Sequence, residues 1–269
     1  MSQQQAKPCP VVLCFSGHDP SGGAGIQADI EAVAANGAHA ITVTTALTIQ
    51  DSRNVEGFNP VSSQILSDSA ACLLADMPVA CFKIGMLGDA SIADAVAHII
   101  KDYPQIPVVL DPVLSSGAGT SVADSQLLDA IQENLLPLVS LVTPNSLEAK
   151  RLTNLENLED CARELLGQGC RHALITGTHV DTSDVINTLY SEGKSETLIV
   201  ERLEGEYHGS GCTLASSIAA QLALGEEMSS AVRKAIDYTW QALKHARPLG
   251  RGQLIPNRFY PGVNIPRQG

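Results

Sequence analysis

The sequence predicts an α/β protein, a three-layer α/β/α arrangement around a central, mostly parallel sheet. Three observations predict the layers. Short apolar, β-branched runs alternate with segments of helical apolar spacing along most of the chain. Those runs are almost continuously apolar, as strands buried on both faces are. The unusual polar residues fall at the predicted strand ends, where such sheets bind ligands.

Val11–Phe15 is the first strand. Ser16-Gly17-His18-Asp19-Pro20-Ser21-Gly22-Gly23-Ala24-Gly25 cuts it off and reads as an irregular loop, followed by a helix over Ile26–Asn36 that Gly37 ends. Ala40–Thr48 is a strand running out at Gln50-Asp51-Ser52, and Val61–Ala75 is helical. Val79–Ile84 is the next strand, ending in Gly85-Met86-Leu87-Gly88. Ser91–Ile100 is a helix, and Pro107–Leu110 a strand opening onto Asp111-Pro112-Val113. Gly117-Ala118-Gly119 reads as a loop before a helix over Ala123–Asn134.

Leu138–Val142 is an apolar run stopped by Thr143-Pro144-Asn145, with helices over Ser146–Leu152 and Leu158–Gln168 behind it. His172–Thr176 is a strand, and Val185–Ser191 with Glu196–Arg202 reads as a hairpin around Gly193. Two helices close the pattern, Leu214–Leu224 and Ser229–His245. The tail from Arg247 has little periodicity and is expected on the surface. Residues 9–247 read as one domain, flanked by terminal segments 1–8 and 248–269.

The formal charge of −12 argues against a nucleic-acid or anionic-membrane partner. Seven scattered cysteines, odd in number and without a C-x-x-C pair, fit a reduced cytoplasmic protein. The start, MSQQQAKPCPVVLCF, is a poor signal peptide. No stretch approaches the roughly 20 apolar residues that span a bilayer.

His208-Gly209-Ser210-Gly211-Cys212-Thr213 leads directly into a small-residue helix. Helix N-termini carry unpartnered amides and attract anions, and glycines let those amides converge. Gly209, Ser210, Gly211 and Cys212 are therefore a candidate anion hole, with the Cys212 thiolate favoured by its position. The alternative is a serine N-cap with a core cysteine behind it. The first glycine-rich loop is neither a Walker A motif nor G-x-G-x-x-G.

Asn145 and Glu148 share a face at a helix start and suit a hydrated Mg²⁺ on a polyphosphate, or else form a capping box. Asp111 is a turn former or a second acidic group near that metal. Lys83 either complements negative charge in the cleft or snorkels. Asp29 and Gln50 offer the acceptors, and Gln50 the donors, that reading an amino-heterocycle requires.

Six motifs, in order, resemble the hydroxymethylpyrimidine/phosphomethylpyrimidine kinases of thiamine biosynthesis. They are Gly17–Asp29, Thr45–Gln50, Lys83–Leu87, Asp111-Pro112-Val113, Thr143-Pro144-Asn145 with Glu148, and His208–Leu214. The resemblance implies a ribokinase-like form of the three-layer α/β/α fold and a homodimer. It implies phosphorylation by ATP and Mg²⁺ of the pyrimidine and then of its monophosphate. It implies that Gly17, Asp29, Gln50, Met86 and Val113 line the pyrimidine pocket. Asp111, Asn145, Glu148 and Thr176 would lie around the nucleotide phosphates, with Glu148 and Asp111 toward the metal, the latter through water. Gly209–Cys212 would form the anion hole, and Cys212 would be the catalytic base.

Three positions depart from the family pattern: His18, Thr178 and Ile236, the last standing where a lysine is expected near the substrate phosphate. His18 or His208 is the expected substitute. The rival readings are a pyridoxal kinase-type vitamin kinase and a non-catalytic pyrimidine or nucleotide sensor.

Overall fold

The computed structural model describes residues 9–115, 122–180 and 182–260, so the predicted Gly117–Gly119 loop lies outside the described residues. In chain order the first elements are β1 (Val11–His18), α1 (Gly25–Ala35), β2 (His39–Gln50), β3 (Val55–Pro60), α2 (Ser63–Asp76), β4 (Val79–Ile84), α3 (Ala90–Lys101) and β5 (Val108–Leu110). There follow α4 (Ser125–Ala130), β6 (Leu141–Val142), α5 (Ser146–Thr153), α6 (Leu158–Gly167), β7 (His172–Ile175), β8 (Asp184–Ser191), β9 (Lys194–Glu201), α7 (Ser210–Ala223) and α8 (Met228–Lys244). The strands form one sheet in the order β3-β2-β1-β4-β5-β6-β7-β8-β9. Its centre, from β2 to β7, is parallel, and the two ends are antiparallel.

Successive strand residues point to opposite faces, and the two cores divide accordingly. Leu13, Phe15, Phe82, Ile84, Val108 and Leu110 pack with residues of α2, α3 and α4 on one face. Val12, Cys14, Cys81, Val109 and Leu141 pack with residues of α7 and α8 on the other. Alternation also sends Ser16 and Lys83 to the α7 face, which decides what lies beneath the site.

Four differences from the sequence expectation have physical reasons. β1 continues through Ser16, Gly17 and His18, because β2 extends far enough to pair with it, His18 standing opposite Leu47. β3 lacks apolar alternation, yet it pairs antiparallel with β2 at the sheet edge, where a proline is tolerated. The helix expected over Ala123–Asn134 is shorter: Asp124 caps it at Leu127 N, and it loosens into a π-turn over Ile131–Leu135 before Pro137.

The fourth difference is the tail. It folds back along Tyr207 and Arg247, which bridge to Leu254 and Ile255 respectively. Gln253 and Arg258 are buried, the latter only 1% exposed. Polar composition concealed this, since a buried guanidinium is stable only where folding supplies it with partners.

Candidate active site

α7 starts at Ser210, and its N-cap is Gly209 in the left-handed region (φ 78°), with no side chain capping the helix. Ser210 is thus the first helical residue and not the cap. The first-turn amides are left to meet an anion. A Cβ on Gly209 would lie 2.0 Å from the Gly23 carbonyl oxygen, so only glycine brings the two loops together here.

α1 also begins without a side-chain cap, at Gly25. Gly25 has φ 59°, and a Cβ there would lie 2.2 Å from the Gly17 carbonyl oxygen. Its amide acts on the Cys212 sulfur and favours the thiolate. Two helix N-termini therefore meet at one half-buried thiol.

Asp19 organises the first loop. It accepts from Ser21 N (2.8 Å), Ser21 Oγ (3.0 Å) and Ala24 N (2.7 Å), and pairs with His208 Nε2 at 2.8 Å. Burial works against its charge, but the hydrogen bonds from His208 and Ser21 prevail and hold the carboxyl below its ordinary value. His208 is committed to this pair. Ile236 is a core residue, 5% exposed against α7 and the sheet.

Beneath Cys212 lies a buried network. Lys83 Nζ donates to Asp29 Oδ1 (2.8 Å) and Ser16 Oγ (2.9 Å), and Ser216 Oγ donates to the same Asp29 oxygen (2.6 Å). Lys83 neither snorkels nor opens on a cleft: both charged side chains are fully buried. Asp29, expected in the pyrimidine pocket, presents no surface, although its Oδ2 has no partner. Burial disfavours the Lys83 charge, yet Asp29, Cys212 and Asp111 outweigh it and raise the ammonium above its ordinary value.

Burial pushes the Cys212 thiol up to about 12; Lys83 opposes this, while Asp111 and Asp29 add to it. The thiolate expected from a helix terminus is therefore not the form favoured in this structure. Low dielectric and two carboxylates outweigh the dipole and one ammonium.

Asp111, at the end of β5, is 5% exposed, and its Oδ2 is a buried oxygen with no partner. The Cys212 thiol favours the charged form of this carboxyl, but burial prevails and raises it above its ordinary value. Burial, and then Asp111, push Glu148 up to about 8. The capping box is present: Asn145 Oδ1 accepts from Leu147 N and Glu148 N (both 2.9 Å), and Glu148 Oε2 accepts from Asn145 N (3.0 Å). Thr176 bridges to Asn145 on the neighbouring strand end. Asp111, Asn145, Glu148 and Thr176 thus stand on adjacent strand ends.

Among the described residues no cluster of three His, Cys, Asp or Glu could cage a metal. Mg²⁺ needs no such cage, since it keeps its waters and takes one or two carboxylates beside substrate phosphates. Two buried carboxyls, of which Asp111 raises Glu148 and keeps one orphaned oxygen, fit a hydrated cation.

Gly17 and Met86 adjoin: a Cβ on Gly17 would lie 3.3 Å from the Met86 sulfur. Thr45 Oγ1 donates to the Met86 carbonyl oxygen and fixes that loop. Val113 follows half-buried, its amide bonded to the Asp111 carbonyl oxygen (2.9 Å). Gln50 Nε2 donates to Thr48 Oγ1 (2.6 Å), which donates to the His18 carbonyl oxygen (2.8 Å).

Gln50 also borders a cavity of about 400 Å³ beside Pro20, Ser21, Arg53 and Arg251. Gly17, Met86 and Val113 do not line that cavity. Sequence reasoning missed Ser16, Ser216 and Arg258. The serine pair at 216 and 217 inside an apolar helix was the available signal.

Strand-end acids, two glycine loops and uncapped helix N-termini on this sheet define a small-molecule kinase of the ribokinase-like class. The phosphomethylpyrimidine kinase family model matches residues 19–257, and the chain belongs to that family. It is 34% identical to the hydroxymethylpyrimidine/phosphomethylpyrimidine kinase of Haemophilus influenzae, over 92% of this chain and 96% of that one. It is 37% identical to the thiamine biosynthesis bifunctional protein ThiED of Geobacter sulfurreducens, over 94% of this chain, but spans only 53% of that protein's length.

Among solved structures, an ADP complex of Bacillus subtilis pyridoxal kinase superposes with TM-score 0.87 at 28% identity, covering 93% of this chain and 98% of that one. Phosphomethylpyrimidine kinase from Clostridium difficile gives TM-score 0.76 at 30% identity, over 87% and 99%. No described helix is long and apolar enough to cross a membrane.

Proposed function

We propose that this chain transfers the γ-phosphoryl group of ATP to the hydroxymethyl oxygen of hydroxymethylpyrimidine, and then a second phosphoryl group to the resulting monophosphate. In each step an O–P bond to the acceptor forms and the bond between the β-phosphate oxygen and the γ-phosphorus breaks. Family membership gives the reaction class. The observation that carries the site is the meeting of two uncapped helix N-termini at Cys212, with the Asp111 carboxyl acting on its thiol.

Such transfer depends on positioning and charge stabilisation. The Gly209–Cys212 amides hold the phosphoryl group in flight. Cys212 takes the hydroxyl proton, and its own proton passes to Asp111. Gly17, Gln50, Met86 and Val113 hold the pyrimidine, and Asp29 supports it from below. Asn145, Glu148 and Thr176 face the nucleotide phosphates. Glu148, and Asp111 through water, would hold Mg²⁺, which supplies charge neutralisation on the β- and γ-phosphates when bound.

The same reading takes residues 9–247 as one kinase domain that works as a cytoplasmic homodimer. Steady-state turnover with ATP, comparing the pyrimidine, its monophosphate and pyridoxal, tests it. Both pyrimidines are expected to exceed pyridoxal in kcat/KM. Preference for pyridoxal would favour the vitamin-kinase rival, and binding without turnover the sensor.

A further inference from the structure

The C-terminal segment brings a buried cation under the site that no part of the proposed mechanism uses. Arg258 has a fully buried side chain, and its fork reaches three elements. Nε donates to Thr213 Oγ1 in the first turn of α7 (2.9 Å), and Nη2 donates to the Gly23 carbonyl oxygen in the glycine-rich loop. Nη1 pairs with Glu31 of α1 at 3.1 Å.

The two loop contacts are mechanically linked. Thr213 Oγ1, which accepts from Arg258, itself donates to the Gly209 carbonyl oxygen (2.8 Å). Gly209 is the left-handed residue packed against Gly23. Arg258 therefore grips both sides of the one place where the two loops touch. Its own position is fixed from α8: Tyr238 Oη donates to the Arg258 carbonyl oxygen (3.0 Å), and Asn257 N donates to the Ala242 carbonyl oxygen (3.0 Å).

We infer that Arg258 is a positioning residue, which clamps the glycine-rich loop against the N-terminus of α7 and so sets the spacing between the substrate loop and the anion hole. The inference rests on the proposed reading of Gly209–Cys212 as that hole. Planarity fits Arg for this role, because one rigid guanidinium serves a hydroxyl, a carbonyl and a carboxylate in fixed directions, as an ammonium on a flexible stem does not. Misplacement of reacting groups by about 1 Å can cost about 100-fold in rate. That sets the scale of the expected effect.

The test compares Arg258→Met, Arg258→Lys and Thr213→Val with Glu31→Gln, which loses the ion pair but touches neither loop contact. Each full-length variant is assayed for turnover well below its melting temperature and for amide hydrogen exchange by mass spectrometry. Arg258→Met should lower kcat about 10–100-fold with KM for ATP within about twofold of the parent. Exchange should rise in the peptides covering 19–25 and 207–213 and stay unchanged in β8 and β9.

Arg258→Lys should recover only part of kcat, and Thr213→Val should show a weaker form of the same pattern. Glu31→Gln should keep both the parent's kcat and its exchange. If Arg258→Met fails to fold, Thr213→Val decides alone. Exchange that is unchanged in both loops, or raised evenly along the chain, would overturn the clamp, as would an unaltered kcat. A parent enzyme that does not phosphorylate the pyrimidine, with selective loop exchange still seen, would sink the proposed function and leave the clamp standing.

Discussion

Lys83 Nζ lies 2.8 Å from Asp29 Oδ1, and neither side chain has any exposure to solvent. The pair joins the C-terminal end of β4 to α1. Removing one partner of a buried ion pair leaves an uncompensated charge, which commonly costs about 3–5 kcal/mol. Lys83→Met should lower unfolding free energy by about that much, measured by urea denaturation. Lys83→Met combined with Asp29→Asn should be closer to wild type than Lys83→Met alone. Additive losses in the double variant would show that the pair is not coupled.

Cys212→Ala should reduce kcat by about 10²–10⁴-fold, the usual worth of a general base. Binding of pyrimidine and ATP, followed by calorimetry, should change little. Because the free thiol is pushed up to about 12, Cys212 should also react slowly with iodoacetamide at neutral pH. Fast alkylation at pH 7, or near-normal turnover in the alanine variant, would reduce the residue to packing.

Glu148 gives a pH dependence of stability whose sign is fixed by its environment. Its carboxyl titrates at about 8 when folded, against about 4.3 in an unfolded chain. Between those values the folded state keeps a proton that the unfolded chain has lost, so stability falls as pH rises through that window. Asp111, also raised, acts in the same direction. The urea midpoint should therefore drop from pH 5 to pH 8, and Glu148→Gln should flatten the drop. A midpoint that rises over this range would contradict the assignment.

Gln50→Ala should weaken pyrimidine binding by about 1–3 kcal/mol, because a buried heterocycle edge loses its hydrogen-bond partner. ATP affinity should hold. Loss of ATP affinity with pyrimidine binding intact would put Gln50 in the other half of the cleft.

Much of the fold and part of the site were legible in the sequence, for identifiable reasons. The parallel core declared itself because runs such as Val11–Phe15 are apolar on both faces and lead into polar loops. The Cys212 loop was legible because Gly209 is needed there, for its left-handed turn and its contact with Gly23. Properties that depend on distant partners were not legible. Helix position argued for a Cys212 thiolate, but the acids around it come from β5 and α1. His208 looked available until folding brought Asp19, 189 residues away in sequence, to its ring. Arg258 looked like a surface residue in a polar tail, and only the folded loops supply its partners.

Incubating the chain with hydroxymethylpyrimidine and excess ATP and Mg²⁺, then weighing the pyrimidine product by mass spectrometry, separates the competing readings in one measurement. The expected product carries two added phosphoryl groups and forms by way of a singly phosphorylated intermediate. A pyrimidine returned unmodified by an enzyme that phosphorylates pyridoxal under the same conditions would contradict the proposed function.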